Sequence, residues 1–109
     1  MLDFSFSTSE EITAALGLRL KAVRLSQSIT QVELAERAGV SVGTVKSIER
    51  TGQSSVTSLV RVVQALGLSD QLQSLFVLKV QSIAQMEQAQ LARRQRAPRK
   101  PQATVGRKP

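Results

Sequence analysis

The sequence predicts an all-α fold of five helices followed by a C-terminal extension. Two patterns indicate this fold: apolar residues recur at three- and four-residue steps, and a hydroxyl residue or a glycine stands at most ends of these segments. We expect the folded domain to span residues 9–80, after a flexible N-terminus of residues 1–8 and before a basic, at least partly disordered extension of residues 81–109. A chain of 109 residues is long enough for one small domain and a tail.

The first predicted helix starts at Ser9, whose hydroxyl is a good N-cap, and two glutamates follow where the helix dipole favours negative charge. The helix is expected to run to about Ser26. Gly17 within it weakens the prediction by up to about 1 kcal/mol. The apolar stripe of this helix consists of Ile12, Leu16, Leu20 and Val23.

The second and third helices are short and are joined by a turn that contains a glycine. Thr30 is predicted to cap the second helix, Gly39 to end it in the left-handed conformation, and Ser41 to cap the third. The inward-facing residues of the two helices are predicted to be Leu34, Ala35, Ala38, Val45 and Ile48.

A turn at residues 51–55 precedes a fourth helix that ends at Gly67, and Ser69 opens a fifth. Residues 76–80 are ambiguous, because a short apolar run fits either the end of helix five or a short β-strand. Residues 82–96 permit a helix with few apolar side chains, whereas the prolines and basic charge beyond Ala97 indicate a disordered end. The inward face of the fourth helix is predicted to be Val56, Leu59, Val60, Val63 and Leu66.

The composition argues against an enzyme. The chain contains no histidine, cysteine, tyrosine or tryptophan, so the commonest general base, the thiolate nucleophile and the commonest metal ligands are missing. We therefore expect no catalysis, no metal and no cofactor. The acidic N-terminal residues do not resemble a secretory signal, and no apolar run reaches the roughly 20 residues that span a bilayer. The expected location is cytoplasmic, with no membrane partner.

The net charge of +7 is concentrated at the C-terminal end. Residues 93–109 hold seven of the fifteen basic residues and no acidic one, which leaves eight basic and eight acidic residues in residues 1–92. A folded domain with no net charge cannot bind a polyanion through its overall charge. The tail is by default a solvated arm, but it would strengthen phosphate binding and steepen its salt dependence.

Residues 30–49, TQVELAERAGVSVGTVKSIE, have the form of a helix-turn-helix: a capped helix, a turn with glycine and a second capped helix. Helices of about eight residues are not stable alone, so packing on the other helices must hold them. Their outward N-termini would offer unpaired N–H groups and partial positive charge. Two such ends can hold phosphates without a basic side chain at every contact.

Residues 16–76 resemble the lambda-repressor-like, or Xre-type, helix-turn-helix family. The resemblance implies a sequence-specific DNA-binding transcriptional regulator that is associated with the nucleoid. It also implies a dimeric repressor on a palindromic operator in double-stranded DNA, with two recognition helices about 34 Å apart. The matching positions are Thr30-Gln31, Leu34-Ala35, Gly39-Val40-Ser41, Thr44-Val45 and Ile48-Glu49.

The resemblance also implies roles for individual residues. Arg24 and Glu49 match an ion pair that ties helix one to helix three, and removing one partner would cost on the order of 3 kcal/mol. Val42 and Gly43 depart from the long polar side chains that relatives often carry there. A valine can touch a thymine methyl and a glycine permits close approach, but neither makes a bidentate hydrogen bond, so direct readout would fall to other residues and to DNA shape. The implied base-facing residues are Val42, Gly43, Lys46 and Ser47, and the implied phosphate contacts are Thr30, Gln31, Ser41, Thr44 and Arg50.

Each of these residues also has a plainer interpretation. Gln31, Thr44, Lys46 and Arg50 fit ordinary surface positions, and the apolar residues near the end of the domain fit its core in part. These apolar residues outnumber those that one short helix can bury, so we expect a two-fold dimer contact. Paired strands at residues 77–80 are one arrangement of that contact. The predicted dimer interface is Leu72, Leu75, Phe76, Val77, Leu78 and Val80.

Two further hypotheses concern partners. Residues 49–68 and the basic end at residues 94–100 resemble antitoxin members of the family that pair with a Hip-type kinase toxin, which implies an autoregulating antitoxin bound to that kinase. The competing class keeps the fold but binds only protein, and Val42 and Gly43 are compatible with it. The dependence of duplex binding on salt distinguishes that class from a DNA-binding protein.

Overall fold

The structure is a computed structural model that describes residues 2–79 and 83–96. Helices account for most of these residues and no strand is found among them, so the predicted all-α fold is confirmed. None of the described helices is both long enough and apolar enough to cross a membrane. The elements are a 3-10 turn at Phe4–Phe6 and six α-helices: α1 Ser9–Ser26, α2 Gln31–Ala38, α3 Val42–Thr51, α4 Val56–Ala65, α5 Ser69–Gln73 and α6 Ile83–Arg96.

The chain divides into two units, Met1–Leu75 and Phe76–Pro109. The first contains α1 to α5, and the second contains α6. In the first unit, the guanidinium carbon of Arg19 lies 4.9 Å from the ring centroid of Phe4. This cation–π contact places the 3-10 turn of the predicted flexible segment against α1.

The N-cap of α1 is Thr8, so the prediction of Ser9 was wrong by one residue. The Thr8 hydroxyl accepts the backbone N–H of Glu11 at 3.1 Å, and the Glu11 carboxylate accepts the backbone N–H of Thr8 at 2.9 Å. This reciprocal capping box requires a glutamate or glutamine three residues after the cap. Thr8 has Glu11 there, whereas Ser9 has Ile12.

Gly17 lies where α1 meets α3. A Cβ atom at Gly17 would overlap the backbone carbonyl oxygen of Ile48, and Gly17 itself is buried. The glycine therefore permits the two helices to approach closely, and its low helix propensity is offset by that contact. Leu16, predicted to share the inward stripe of α1, is 37% exposed.

The core is formed by residues of α1 to α4, by Ile29 between α1 and α2, and by Leu66 after α4. All five residues predicted to face inward from α2 and α3 are buried, which confirms that part of the prediction. The α4 prediction was wrong for Val56, which is 77% exposed because the first residue of α4 projects beyond the core. Val62, which was not predicted, is fully buried and fits the same helical spacing between Leu59 and Leu66.

The segment after α5 forms neither of the predicted alternatives. Helix α5 ends at Gln73, and residues 77–79 are neither helix nor strand. Phe76 has a left-handed backbone, with φ of 61°. Val80 and the predicted disordered end beyond Ala97 lie outside the described residues.

Candidate nucleic-acid interface

The N-terminus of α3 is open. The hydroxyl of Ser41 accepts the backbone N–H of Thr44 at 3.0 Å, which is the predicted cap. The backbone N–H groups of Val42 and Gly43 have no acceptor in the described part of the chain. The first turn of α3 contains no acidic residue. Free amides and the positive end of the helix dipole therefore face outward without a carboxylate to neutralise them.

The N-terminus of α2 is partly occupied by its own capping box. The hydroxyl of Thr30 accepts the N–H of Glu33 at 3.0 Å, and the Glu33 carboxylate accepts the N–H of Thr30 at 2.8 Å. Hydrogen bonding of the Glu33 carboxyl to the backbone N–H of Thr30, and then to the side chain of Thr30, lowers the pKa of Glu33. The amides of Gln31 and Val32 have no acceptor among the described residues. The two helix ends are therefore unequal, because only the α2 end carries a negative charge of its own.

The expected ion pair between Arg24 and Glu49 is present and buried, with both residues less than 8% exposed. Arg24 Nε and Nη2 donate to the two Glu49 carboxylate oxygens at 2.6 and 3.0 Å, and Nη1 donates to the Ile29 carbonyl at 2.8 Å. Burial opposes ionisation of Glu49, but the hydrogen bonds from Arg24 and Gln31 outweigh it and lower the pKa of that carboxyl. The hydrogen bond to Glu49 raises the pKa of Arg24. The pair joins α1 to α3 through a bidentate, charge-assisted contact.

Gln31 extends this network to the surface of α2. Its side-chain amide donates to Glu49 Oε1 at 3.1 Å, and the residue is half-buried. One amide hydrogen is used in this bond, so the second amide hydrogen and the carbonyl oxygen remain free for a ligand. The predicted contact residue is thus held in place by the ion pair behind it.

A cleft of about 680 Å³ lies between α1, α2 and α3. Its cations are Lys21, Lys46 and Arg50, all exposed, and its one carboxylate, Glu49, is buried and paired. The cleft is therefore positively charged although residues 1–92 carry no net charge. Its lining residues are Leu18, Lys21, Gln31, Gly43, Lys46, Ser47, Glu49 and Arg50.

Residues 20–73 match the model of a family described as helix-turn-helix. This segment is a helix-turn-helix domain. No curated protein matches the chain. The matched segment begins in α1 and ends with α5, so it includes the open end of α3 and most of the cleft. The match supports a DNA-binding regulator of transcription.

The helix-turn-helix domain brings most of the predicted contact residues to one surface. Gln31, Gly43, Lys46 and Ser47 line the cleft together with Arg50. Thr30, Ser41, Val42 and Thr44 lie at the two helix N-termini that begin α2 and α3.

Two residues of the cleft, Leu18 and Lys21, were not predicted. Both belong to α1, which was assigned only a packing role. Lys21 lies one helical turn before Arg24, the residue expected to pair with α3. That three-residue spacing placed Lys21 on the same side of α1 and was the available signal.

The predicted base-facing side chains of the helix-turn-helix domain offer few free polar atoms. The hydroxyl of Ser47 donates to the backbone carbonyl of Gln53 at 2.9 Å, so this hydroxyl keeps only its acceptor capacity. Val42 is half-buried and packs against the core. Lys46 is the exposed polar side chain of the predicted set.

Proposed function

We propose that the protein is a sequence-specific DNA-binding repressor of transcription that acts as a dimer on a palindromic operator. The observation that carries the proposal is the open N-terminus of α3 beside a cleft with three exposed cations, Lys21, Lys46 and Arg50. Helix amides and lysine or arginine side chains are the groups that hold phosphate oxygens. A helix presented in this way enters the major groove with its first turn nearest the bases.

The hydroxyls at this helix end favour phosphate binding. Ser41 and Thr44 have their hydroxyl oxygens 2.8 Å apart, so one of them donates to the other. The other hydroxyl hydrogen is then free to donate to a phosphate oxygen, next to the amides of Val42 and Gly43. Gln31 and Lys46 supply the polar atoms that reach base edges, and Thr30 lies beside the free amides of Gln31 and Val32 that hold phosphate at the α2 end.

The experiment is a titration of duplex DNA at several salt concentrations. Each cation that neutralises a phosphate contributes about 0.9 to the slope of log K against log salt. We expect Lys46→Ala or Arg50→Ala to reduce the affinity. Where the side chain contacts a phosphate, the variant should also make the slope of log K against log salt shallower by about 0.9, the contribution of one contact. Arg61→Ala is the matched control, because Arg61 is exposed on α4 and does not line the cleft.

Equal losses in Arg61→Ala and the cleft variants would show attraction by net charge alone and would contradict the proposed surface. A protein that binds no duplex at low salt would instead favour the competing function, a helix-turn-helix fold that binds only protein. The scarcity of free polar side-chain atoms at Val42, Gly43 and Ser47 is the observation in favour of that alternative.

Dimerisation is proposed through the apolar segment that follows α5. Leu75, Phe76, Val77 and Leu78 are each at least 50% exposed, and Phe76 is 93% exposed. Leu72 packs partly against the core, so its share in the dimer contact is the smaller one, and Val80 continues the predicted segment. Adjacent exposed apolar side chains are typical of a protein contact surface.

Sedimentation equilibrium tests this contact. We expect Phe76→Ser to shift the chain from dimer to monomer, whereas Val56→Ser, which changes another exposed apolar residue, leaves the dimer intact. A wild-type chain that stays monomeric at concentrations well above those used for DNA binding would contradict the dimer.

The proposed partner beyond DNA is a Hip-type kinase toxin, with the protein as the antitoxin that represses its own operon. The support is the resemblance of residues 49–68 and 94–100 to antitoxin members of the family. Co-expression with the product of an adjacent kinase-like gene, followed by purification through a tag on the kinase, tests it. A neighbouring gene of another class, or a kinase that elutes alone, would argue against the antitoxin role.

A further inference from the structure

Gly43 has no structural requirement for glycine. It is the second residue of α3, it is exposed, and its φ lies outside the left-handed range that distinguishes Gly39, at 71°. Among the described residues, a Cβ atom at Gly43 would meet only the Ser41 hydroxyl oxygen, at an ordinary 3.7 Å. A Cβ atom at Gly17, in contrast, would overlap the backbone of α3 at Ile48. Neither the backbone conformation nor the packing of the protein explains the residue at position 43.

Glycine in a helix is less favourable than alanine, because it loses more backbone freedom on folding. A helix position that would tolerate alanine but carries glycine is therefore less stable than it would be with alanine. Gly43 lines the cleft beside Lys46 and Ser47, and its amide is one of the two free N–H groups of α3. The space beside Gly43 opens to solvent on the surface where α3 would contact a ligand.

We propose that Gly43 determines sequence specificity by leaving room for the C5-methyl group of a thymine in the operator. This inference rests on the proposed DNA-binding function. The neighbouring Val42 is apolar, and the Ser47 hydroxyl already donates to Gln53. The thymine methyl is the apolar group that base pairs present in the major groove, and it fits the space that the missing side chain of Gly43 leaves next to the apolar Val42.

The first test requires an operator selected by the wild-type protein from random duplexes. Gly43→Ala should raise the melting temperature by roughly 2–5 °C because it removes a helix glycine. It should also weaken binding to the selected operator by roughly tenfold or more, because the added methyl occupies the space for the base. Gln64→Ala, an exposed α4 residue outside the cleft, is the control and should leave the affinity unchanged.

The second test replaces each operator thymine in turn by deoxyuridine, which lacks only the C5-methyl. For one thymine in each half-site, the wild-type protein should lose affinity severalfold, while Gly43→Ala should regain most of its loss. A Gly43→Ala variant that binds the selected operator as tightly as the wild type would overturn this inference and leave DNA binding intact. Weak binding without recovery on any deoxyuridine duplex would overturn the thymine assignment.

A wild-type protein that binds no duplex would overturn the proposed function itself. The two failures are distinguishable, because the first appears only in the variant and the second appears in the wild type.

Discussion

Replacing Arg24 by methionine should destabilise the domain strongly. The methionine keeps most of the apolar length of the arginine but removes all three of its hydrogen bonds, two to Glu49 and one to the Ile29 carbonyl. Glu49, only 4% exposed, would keep the side-chain amide of Gln31 as its partner. The variant therefore leaves a buried carboxylate without its counter-charge.

The size of the effect follows from these contacts. Removing one partner of a buried ion pair costs about 3–5 kcal/mol, and a buried carbonyl without its donor costs about 1–3 kcal/mol. Glu49 can take up a proton, which limits the cost of the unpaired carboxylate to the lower end of its range. We therefore expect a total loss of about 4 kcal/mol. A domain of this size is stable by about 4–11 kcal/mol, so the variant should be close to unfolding at room temperature.

Urea unfolding followed by far-ultraviolet circular dichroism measures the loss, since the chain has no tryptophan or tyrosine for fluorescence. The double variant Arg24→Met/Glu49→Leu should recover to within about 2 kcal/mol of the wild type, because two apolar side chains of similar volume can replace a buried pair. A single variant that loses less than about 1 kcal/mol would refute the reasoning. So would a double variant that loses the sum of the two single losses.

Three further predictions follow from the same structure. The lowered pKa of Glu49 means that this group stabilises the fold above its unfolded pKa, near 4.5, and that this stability is lost as the pH falls through the folded pKa. The free energy of unfolding, measured by urea titration, should therefore decrease below about pH 5. The decrease should be less steep in Glu49→Gln, which cannot take up this proton. Gly17→Ala should lower the melting temperature by roughly 10 °C, because the added methyl forces Ile48 and α1 apart, and an unchanged melting curve would contradict the packing described. Ser41→Ala should cost about 1 kcal/mol in urea unfolding, because the N–H of Thr44 loses its cap; a neutral result would show that the hydroxyl does not stabilise α3.

The part of the fold that could be predicted from sequence depends on contacts within one or two helical turns. Thr30, Gly39 and Ser41 act as caps in the structure as they were predicted to, because the capping groups lie within four residues of each other. The error at Ser9 is of the same local kind. The prediction of Ser9 considered only the hydroxyl of the cap and not Glu11, the capping-box glutamate three residues after Thr8.

The remaining features depend on groups far apart in the chain or on a choice between several partners. The close approach at Gly17 involves Ile48, 31 positions later, and no local pattern indicates it. Lys21 lines the cleft with residues of α2 and α3, and its three-residue spacing from Arg24 indicates its side of α1 but not the cleft itself. Ser47 could donate to water, to a base or to a backbone carbonyl, and only the folded structure shows that it donates to Gln53.

The ion pair behind the cleft connects stability to recognition. Apolar residues can replace a buried pair with little loss of stability, so stability alone does not explain why Arg24 and Glu49 are charged. The amide of Gln31 does require the Glu49 carboxylate, because this hydrogen bond fixes the side chain at the edge of the cleft. The double variant Arg24→Met/Glu49→Leu should therefore fold but bind its operator severalfold more weakly, and Gln31→Ala should then have little further effect. If the folded double variant bound DNA like the wild type, the pair would serve the fold alone and Gln31 would need no support from it.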